Sequence, residues 1–172
     1  MNGQASADLV GVITFRLCGQ SFGLPVGTVR EVVPIAWLDR PPRMPSLVQG
    51  ILNLGGRAVP VLRLDKALGL RDGTYGLDAS ILIMRDDHEA GRPLGLLVEH
   101  VDGVRAIEDF TAMGFVDRTS FNACLTEQLE RDGTVVQLLS WRNILLVEER
   151  QRLAEFQGLA QARLADLGAA AP

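Results

Sequence analysis

Two adjacent glycines, Gly55 and Gly56, split the stretch VQGILNLGGRAVPVLRLDKALGL (48–70) into apolar runs and constrain its fold more than any other feature. A Gly-Gly pair accepts φ > 0 at both central positions, which a two-residue primed hairpin turn requires. The stretch is therefore expected to form two strands joined at the glycines, followed by a short helix over 65–68 closed by Gly69. Ile51, Leu54, Val59, Val61, Leu62 and Leu64 supply its apolar content. Such a hairpin buries one face in a core and offers the other, with its turn, to water or a partner. None of its side chains suggests a reaction centre.

The flanking segments read as more β-structure. Over 9–17 the apolar Leu9, Ile13, Phe15 and Leu17 alternate with Thr14 and Arg16, the period of a half-buried strand. A turn at Gly19-Gln20 leads to a strand over 21–26. Val29, Val32 and Val33 fit either one helical turn or a bulged strand, ended before Pro34. Pro41, Pro42 and Pro45 confine the next segment to loop or edge geometry. The polar, Gly-rich connector 71–78 is the best internal boundary, followed by strands over 80–85 and 94–98 and an extended segment over 101–106. Residues 108–123 read mostly as loop, and Asp132-Gly133 joins hairpin strands 125–131 and 134–139. From Ser140 the pattern turns helical, with Leu153, Phe156, Ala160, Leu164 and Leu167 on one stripe. The ends, 1–8 and 169–172, read as flexible.

Composition narrows the function. A net charge of −4 and an aromatic content of 5% argue against phosphate-tracking or base-stacking surfaces, hence against nucleic acid. No apolar run approaches the roughly 20 residues of a membrane span, so no membrane insertion is expected. The first residues carry no secretory signal and the two cysteines no disulfide framework, which makes a cytoplasmic location the expectation.

Candidate chemistry is sparse. His88 and His100 lie outside any metal-ligand spacing, and Asp86, Asp87, His88 and Glu89 read as a solvated hairpin tip rather than a cation site. Cys18 and Cys124 have no evident histidine partner and read as packed thiols. Ser46 and Ser140 lack an elbow motif, and the Gly-Gly pair lacks the Lys-Ser/Thr of a phosphate loop. No catalytic residue, metal ligand or cofactor is assigned, and the chain is read as no enzyme. Apolar residues beside the Pro-rich edge, Val29, Val32 and Ile35 with Glu31, are better candidates for contact with a partner, with ordinary core as the alternative.

The halves also resemble each other. FGLPVGTVREV (from Phe22) aligns with LGLLVEHVDGV (from Leu94) at an offset of 72, and GRAVPVLRLDKAL (from Gly56) with GTVVQLLSWRNIL (from Gly133) at an offset of 77. Two copies of one small β unit would give two barrels of about five strands sharing an apolar seam, the alternative being that any two strands ending in turns look this similar.

With those blocks laid out, the chain resembles the CheW-like family of chemotaxis adaptors. The resemblance is carried by VITFRLCGQSFGLPVGTVREVV (12–33), LVQGILNLGGRAVPVLRL (47–64), SILIM (80–84), PLGLLVEHVDGV (93–104) and DGTVVQLLSWRNIL (132–145). It implies an all-β fold of two SH3-like five-stranded β-barrel subdomains with intertwined strands over 9–147, and the apolar stripe adds a C-terminal amphipathic α-helix over 148–168. It implies no cofactor, and two partners: the regulatory domain of a CheA-type histidine kinase and the cytoplasmic tip of methyl-accepting chemoreceptors. It also implies that Val29, Glu31, Val32 and Ile35 line a receptor-facing groove, with Gly50, Asn53 and Leu54 from the hairpin and Val98 and Val101 from the second barrel. The kinase contacts stay unassigned.

Two departures stand out. Where the family reads asparagine, apolar, arginine, glycine, this chain has Asn53-Leu54-Gly55-Gly56, and Arg63 replaces an acidic residue in the next strand. A lost charge-assisted contact is worth roughly 1.5–3 kcal/mol, about 10- to 100-fold in affinity. Arg57 substitutes only if the strand is regular up to the turn, two positions being about 6.6 Å along one face. Otherwise a divergent receptor is implied. A non-flagellar chemosensory pathway (surface motility, pilus or second-messenger control) shares these features, and a small-ligand barrel or enzyme would instead need a closed polar pocket.

Overall fold

The structure, a computed structural model, describes residues 10–85, 92–114, 124–145 and 147–169. The 1–8 end and the acidic run with His88 lie outside the described residues. Among the described residues eleven strands and two α-helices follow in order: β1 (Gly11–Leu17), β2 (Gln20–Pro25), β3 (Val29–Pro34), β4 (Val48–Leu54), β5 (Arg57–Arg63), α1 (Leu64–Ala67), β6 (Ser80–Met84), β7 (Gly95–Val98), β8 (His100–Ala106), β9 (Thr111–Met113), β10 (Leu125–Arg131), β11 (Thr134–Leu139) and α2 (Val147–Ala169).

The hairpin at the glycines forms as expected, with Leu54 opposite Arg57 and φ of 58° and 85° at Gly55 and Gly56. The second hairpin turns on Asp132 (φ 51°) and Gly133 (φ 77°). Gly69, at φ 69°, follows α1 as its C-terminal stop. The segment at Val29 is a bulged strand rather than a helical turn, its register shifting between Val29 and Glu31. It runs through Pro34 instead of ending before it, because β3 lies at the margin of its sheet, where a missing N–H is tolerated.

The strands make two sheets. One has the order β8-β1-β2-β11-β10-β9, the other β3-β6-β7-β5-β4. In the first, β8 and β9 are joined through a 3-10 turn at Ile107–Asp109, so the chain brings the two margins together. In the second, the chain leaving β3 returns at Asp39 to bridge Ile51 of β4. These are the two SH3-like barrels, the first six-stranded rather than five-stranded. The extra strand is β9, in a stretch expected to be mostly loop. Its three exposed residues carry no apolar period that sequence reading could catch.

The duplication is visible in the pairing. β11 lies parallel to β2 with Leu138 opposite Gly23, and β5 lies parallel to β7 with Val61 opposite Gly95. The sequence offsets of 72 and 77 carry one pair onto the other. Each half places its first two strands in one barrel and the rest in the other, crossing between them after β2 and after β7. The 71–78 connector therefore separates the halves of the repeat, yet it joins two strands of the same sheet.

Intertwining explains the core. Ile13, Phe15, Leu17, Phe22, Leu24, Leu62, Leu64, Leu82, Met84, Leu96 and Val98 form one cluster between the barrels. Val59, Val61, Ile81, Ile83 and Leu97 fill the second barrel, and Val12, Leu129, Val136 and Leu138 the first. Alternate residues of β6 thus face the seam and a barrel interior. β1 does the same, so it is buried on both faces rather than half-buried, with Thr14 donating to the Gly103 carbonyl at 3.3 Å. Gly23 and Gly95 sit where a Cβ would lie 2.6 Å from Val12 Cγ1 and 2.8 Å from Ile81 Cγ2. The narrow barrel interiors leave no room for a side chain at either.

After β11 the chain makes a 3-10 turn, Trp141–Asn143, and the α-helix runs over Val147–Ala169, within one residue of the expected bounds. Leu153 and Ala160 are buried and Phe156 and Leu164 half-buried, whereas Leu167 is exposed beyond the barrel. α2 packs on β5.

Candidate partner-binding surface

The groove candidates divide by burial. Val29 and Val98 are inside the seam cluster, with Val101 packed at its edge and half-exposed. Gly50 is buried too, and a Cβ there would meet Leu38 Cβ at 2.6 Å. These three groove candidates are buried in the free chain. Burial wins because the intertwined sheets cover both faces of the strand that carries Val98.

The rest are accessible. On β3, Val32 is 41% exposed, and Glu31, half-buried, pairs with the neighbouring Arg30 at 3.4 Å. Such a partly exposed pair contributes little, about 0–1 kcal/mol. Ile35 and Leu54 each pack against the second barrel's core, as do Val33 and Leu38. Trp37 stands 91% exposed next to a cavity of about 650 Å³ lined by Ile35, Leu38, Asp39, Arg40, Gln49 and Tyr75. A lone exposed tryptophan is a loop feature that no periodicity reveals.

At the hairpin end, Asn53 Oδ1 accepts from the Gly56 N–H at 2.9 Å, closing the turn with a side chain. Arg57 is exposed and opens a regular β5. Gly55, however, lies in the turn at φ 58°, so positions 55 and 57 are not related by strand geometry. The 6.6 Å same-face substitution therefore loses its premise.

Arg63 and Asp65 form a site that the sequence reading did not assemble. Asp65 is fully buried, takes a two-pronged interaction from the Arg63 guanidinium (Nε at 2.8 Å) and accepts the Gly73 N–H at 2.8 Å. Arg63 also lies 5.0 Å above the Tyr75 ring. Burial pushes the Asp65 carboxyl up, but the Arg63 and Gly73 hydrogen bonds outweigh it and hold the pKa at about 2. Burial pushes the Tyr75 phenol well above its ordinary range, with the Asp65 carboxylate adding to it. The arrangement is structural: it anchors the connector, whose Thr74 N–H also reaches Glu99 at 2.8 Å. The sequence signal was the i, i+2 spacing of Arg63 and Asp65, masked by the helix they open.

The other chemistry candidates are similarly absorbed. Cys18 and Cys124 are buried and donate to the Arg71 and Asn143 carbonyls at 3.1 and 2.9 Å. Burial raises both thiol pKa values, that of Cys124 to about 11, the opposite of an activated nucleophile. His100 stands 3.7 Å from Asp102, which also pairs with Arg16 at 3.1 Å across β1 and β8. Among the described residues, no group of three or more His, Cys, Asp or Glu is placed to hold a metal, and no helix is long and apolar enough to cross a membrane.

The intertwined barrels and the accessible β3–hairpin surface can be set beside known proteins. The family model described as CheW-like domain matches residues 11–149. The chain belongs to the CheW-like family. Among CheW relatives, the chemotaxis protein CheW of Thermotoga maritima is 29% identical over 98 residues, covering 57% of this chain and 62% of that protein. That of Treponema pallidum is 26% identical over 101 residues, covering 56% and 57%. The chain thus spans about three fifths of the length of these curated relatives. The crystal structure of the scaffolding protein TtCheW from Thermoanaerobacter tengcongensis superposes with a TM-score of 0.68 at 25% identity, covering 81% of this chain and 90% of that one. The match agrees with a CheW-like pair of barrels, and the family model ends just inside α2.

Proposed function

We propose that this chain is a non-catalytic, cytoplasmic adaptor that couples chemoreceptor tips to the regulatory domain of a CheA-type histidine kinase. The observation that carries the reading is the CheW-like match across both barrels. The receptor contact would be made by Glu31, Val32 and Ile35 on and after β3, Asn53, Leu54 and Arg57 at the hairpin, and Val101 at the seam. These side chains keep exposed surface and offer apolar contact beside a few charges. The functional unit is 9–147, with the helix over 148–168 appended. Each contact would be of modest area, at or below about 800 Å² per partner, with avidity in an array supplying the rest.

The glycine at 55 favours a second reading within the same class: an adaptor of a non-flagellar chemosensory pathway with a divergent receptor. The missing arginine removes a charge-assisted contact, and Arg57 does not replace it along a strand. Co-purification with a cognate kinase and receptor fragment, followed by a kinase assay, tests the adaptor role. Receptor-dependent kinase stimulation only in the presence of this chain is expected, and none with both partners bound would sink the proposal. Arg57→Ala tests the second reading: the loss of one exposed contact, less than about threefold in receptor affinity, is expected, whereas a tenfold loss or more would show that Arg57 does replace the family arginine.

A further inference from the structure

Helix α2 lies almost wholly beyond the family match, which ends at 149. It sits at a place where the second barrel is incomplete. β7 pairs with only Val61, Leu62 and Arg63 of β5, so the first four residues of β5 and the turn before them project past their neighbour. Two glutamines of α2 take the place of the missing strand. Gln161 accepts the Ala58 N–H at 2.8 Å and donates to the Gly56 carbonyl at 3.2 Å. Gln157, only 5% exposed, donates to the Ala58 carbonyl at 3.2 Å and to the Pro93 carbonyl at 3.0 Å, tying β5 to the approach of β7. Pro60 adds no N–H that would need a partner. Around these bonds Ala160 packs on Ile51 and Ala58, with Phe156 and Leu164 alongside.

We infer that α2 is a brace that presets the 53–57 turn for its partner, with Gln157 and Gln161 as positioning residues. The inference rests on the reading that this turn meets a receptor. A projecting hairpin end held only by its own ladder frays, and a partner must then supply the ordering cost when it binds. A helix that satisfies the turn's backbone groups removes that cost beforehand. The first barrel shows the unbraced case: Val135, the counterpart of Ala58, is 40% exposed.

The test uses the full chain carrying Gln157→Glu, which keeps the side chain's shape but turns a carboxylate oxygen toward two carbonyls. Amide hydrogen exchange should quicken about tenfold or more at Ala58 while β1 and β6 stay protected, and affinity for a receptor-tip fragment should fall at least threefold. Should Gln157→Glu unfold the chain, Gln161→Ala removes the acceptor of the Ala58 N–H without burying charge and should likewise quicken exchange there and weaken receptor-fragment binding. Unchanged protection at Ala58 overturns the brace. Faster exchange with unchanged affinity overturns its coupling to the partner. If the unaltered chain binds no receptor fragment, the receptor reading is what has failed, and the exchange result alone decides the brace.

Discussion

The first barrel closes its β10 margin with the short strand β9, whereas the second closes its β4 margin with the single Asp39 bridge and then gains α2 as cover. Their frames are otherwise the same, down to the register that sets Gly23 and Gly95 opposite Leu138 and Val61. A duplicated strand order thus fixes the scaffold twice, and a few local side chains make the copies different. The clearest case follows the parallel strands. At the end of β5 Arg63, half-buried, pairs with the fully buried Asp65, and the same offset in the other half places Ser140 and the exposed Arg142.

The largest test of that difference is Asp65→Asn. Removing one partner of a buried ion pair should cost about 3–5 kcal/mol in urea unfolding, against within about 0.5 kcal/mol for Arg142→Ala. A small effect at Asp65 would mean that the second barrel has no charged anchor. The pH dependence sharpens the point. The folded-state pKa of Asp65, about 2, lies below its unfolded value, so its stabilisation is present above the unfolded pKa and lost as pH falls through about 2. The stability gap between the unaltered chain and Asp65→Asn should be flat near neutrality and close in acid.

Next in size, Gly23→Ala and Gly95→Ala should each lose about 1–3 kcal/mol from overpacking of a barrel interior. Equal losses would support equivalent interiors, and a tolerated substitution at one would break the equivalence. Smallest, Gly56→Ala and Gly133→Ala both place a Cβ at φ near 80° and should each cost about 1 kcal/mol by thermal melts. A markedly larger loss at Gly56 would show that the helix-braced turn is the less forgiving of the two.

The sequence alone determined the local elements whose cause is local. Gly55-Gly56 and Asp132-Gly133 specify their turns, Gly69 stops α1, and the offsets of 72 and 77 mark a repeat. What only the tertiary structure decided is which face each strand hides. β1 reads as half-buried, yet it is covered on both sides because the halves exchange strands, a long-range event that leaves no mark on a period of two. For the same reason Val29 and Val98 lie in the core cluster, and Gln157 and Gln161, polar residues on a helix, became partners of a strand about a hundred residues earlier.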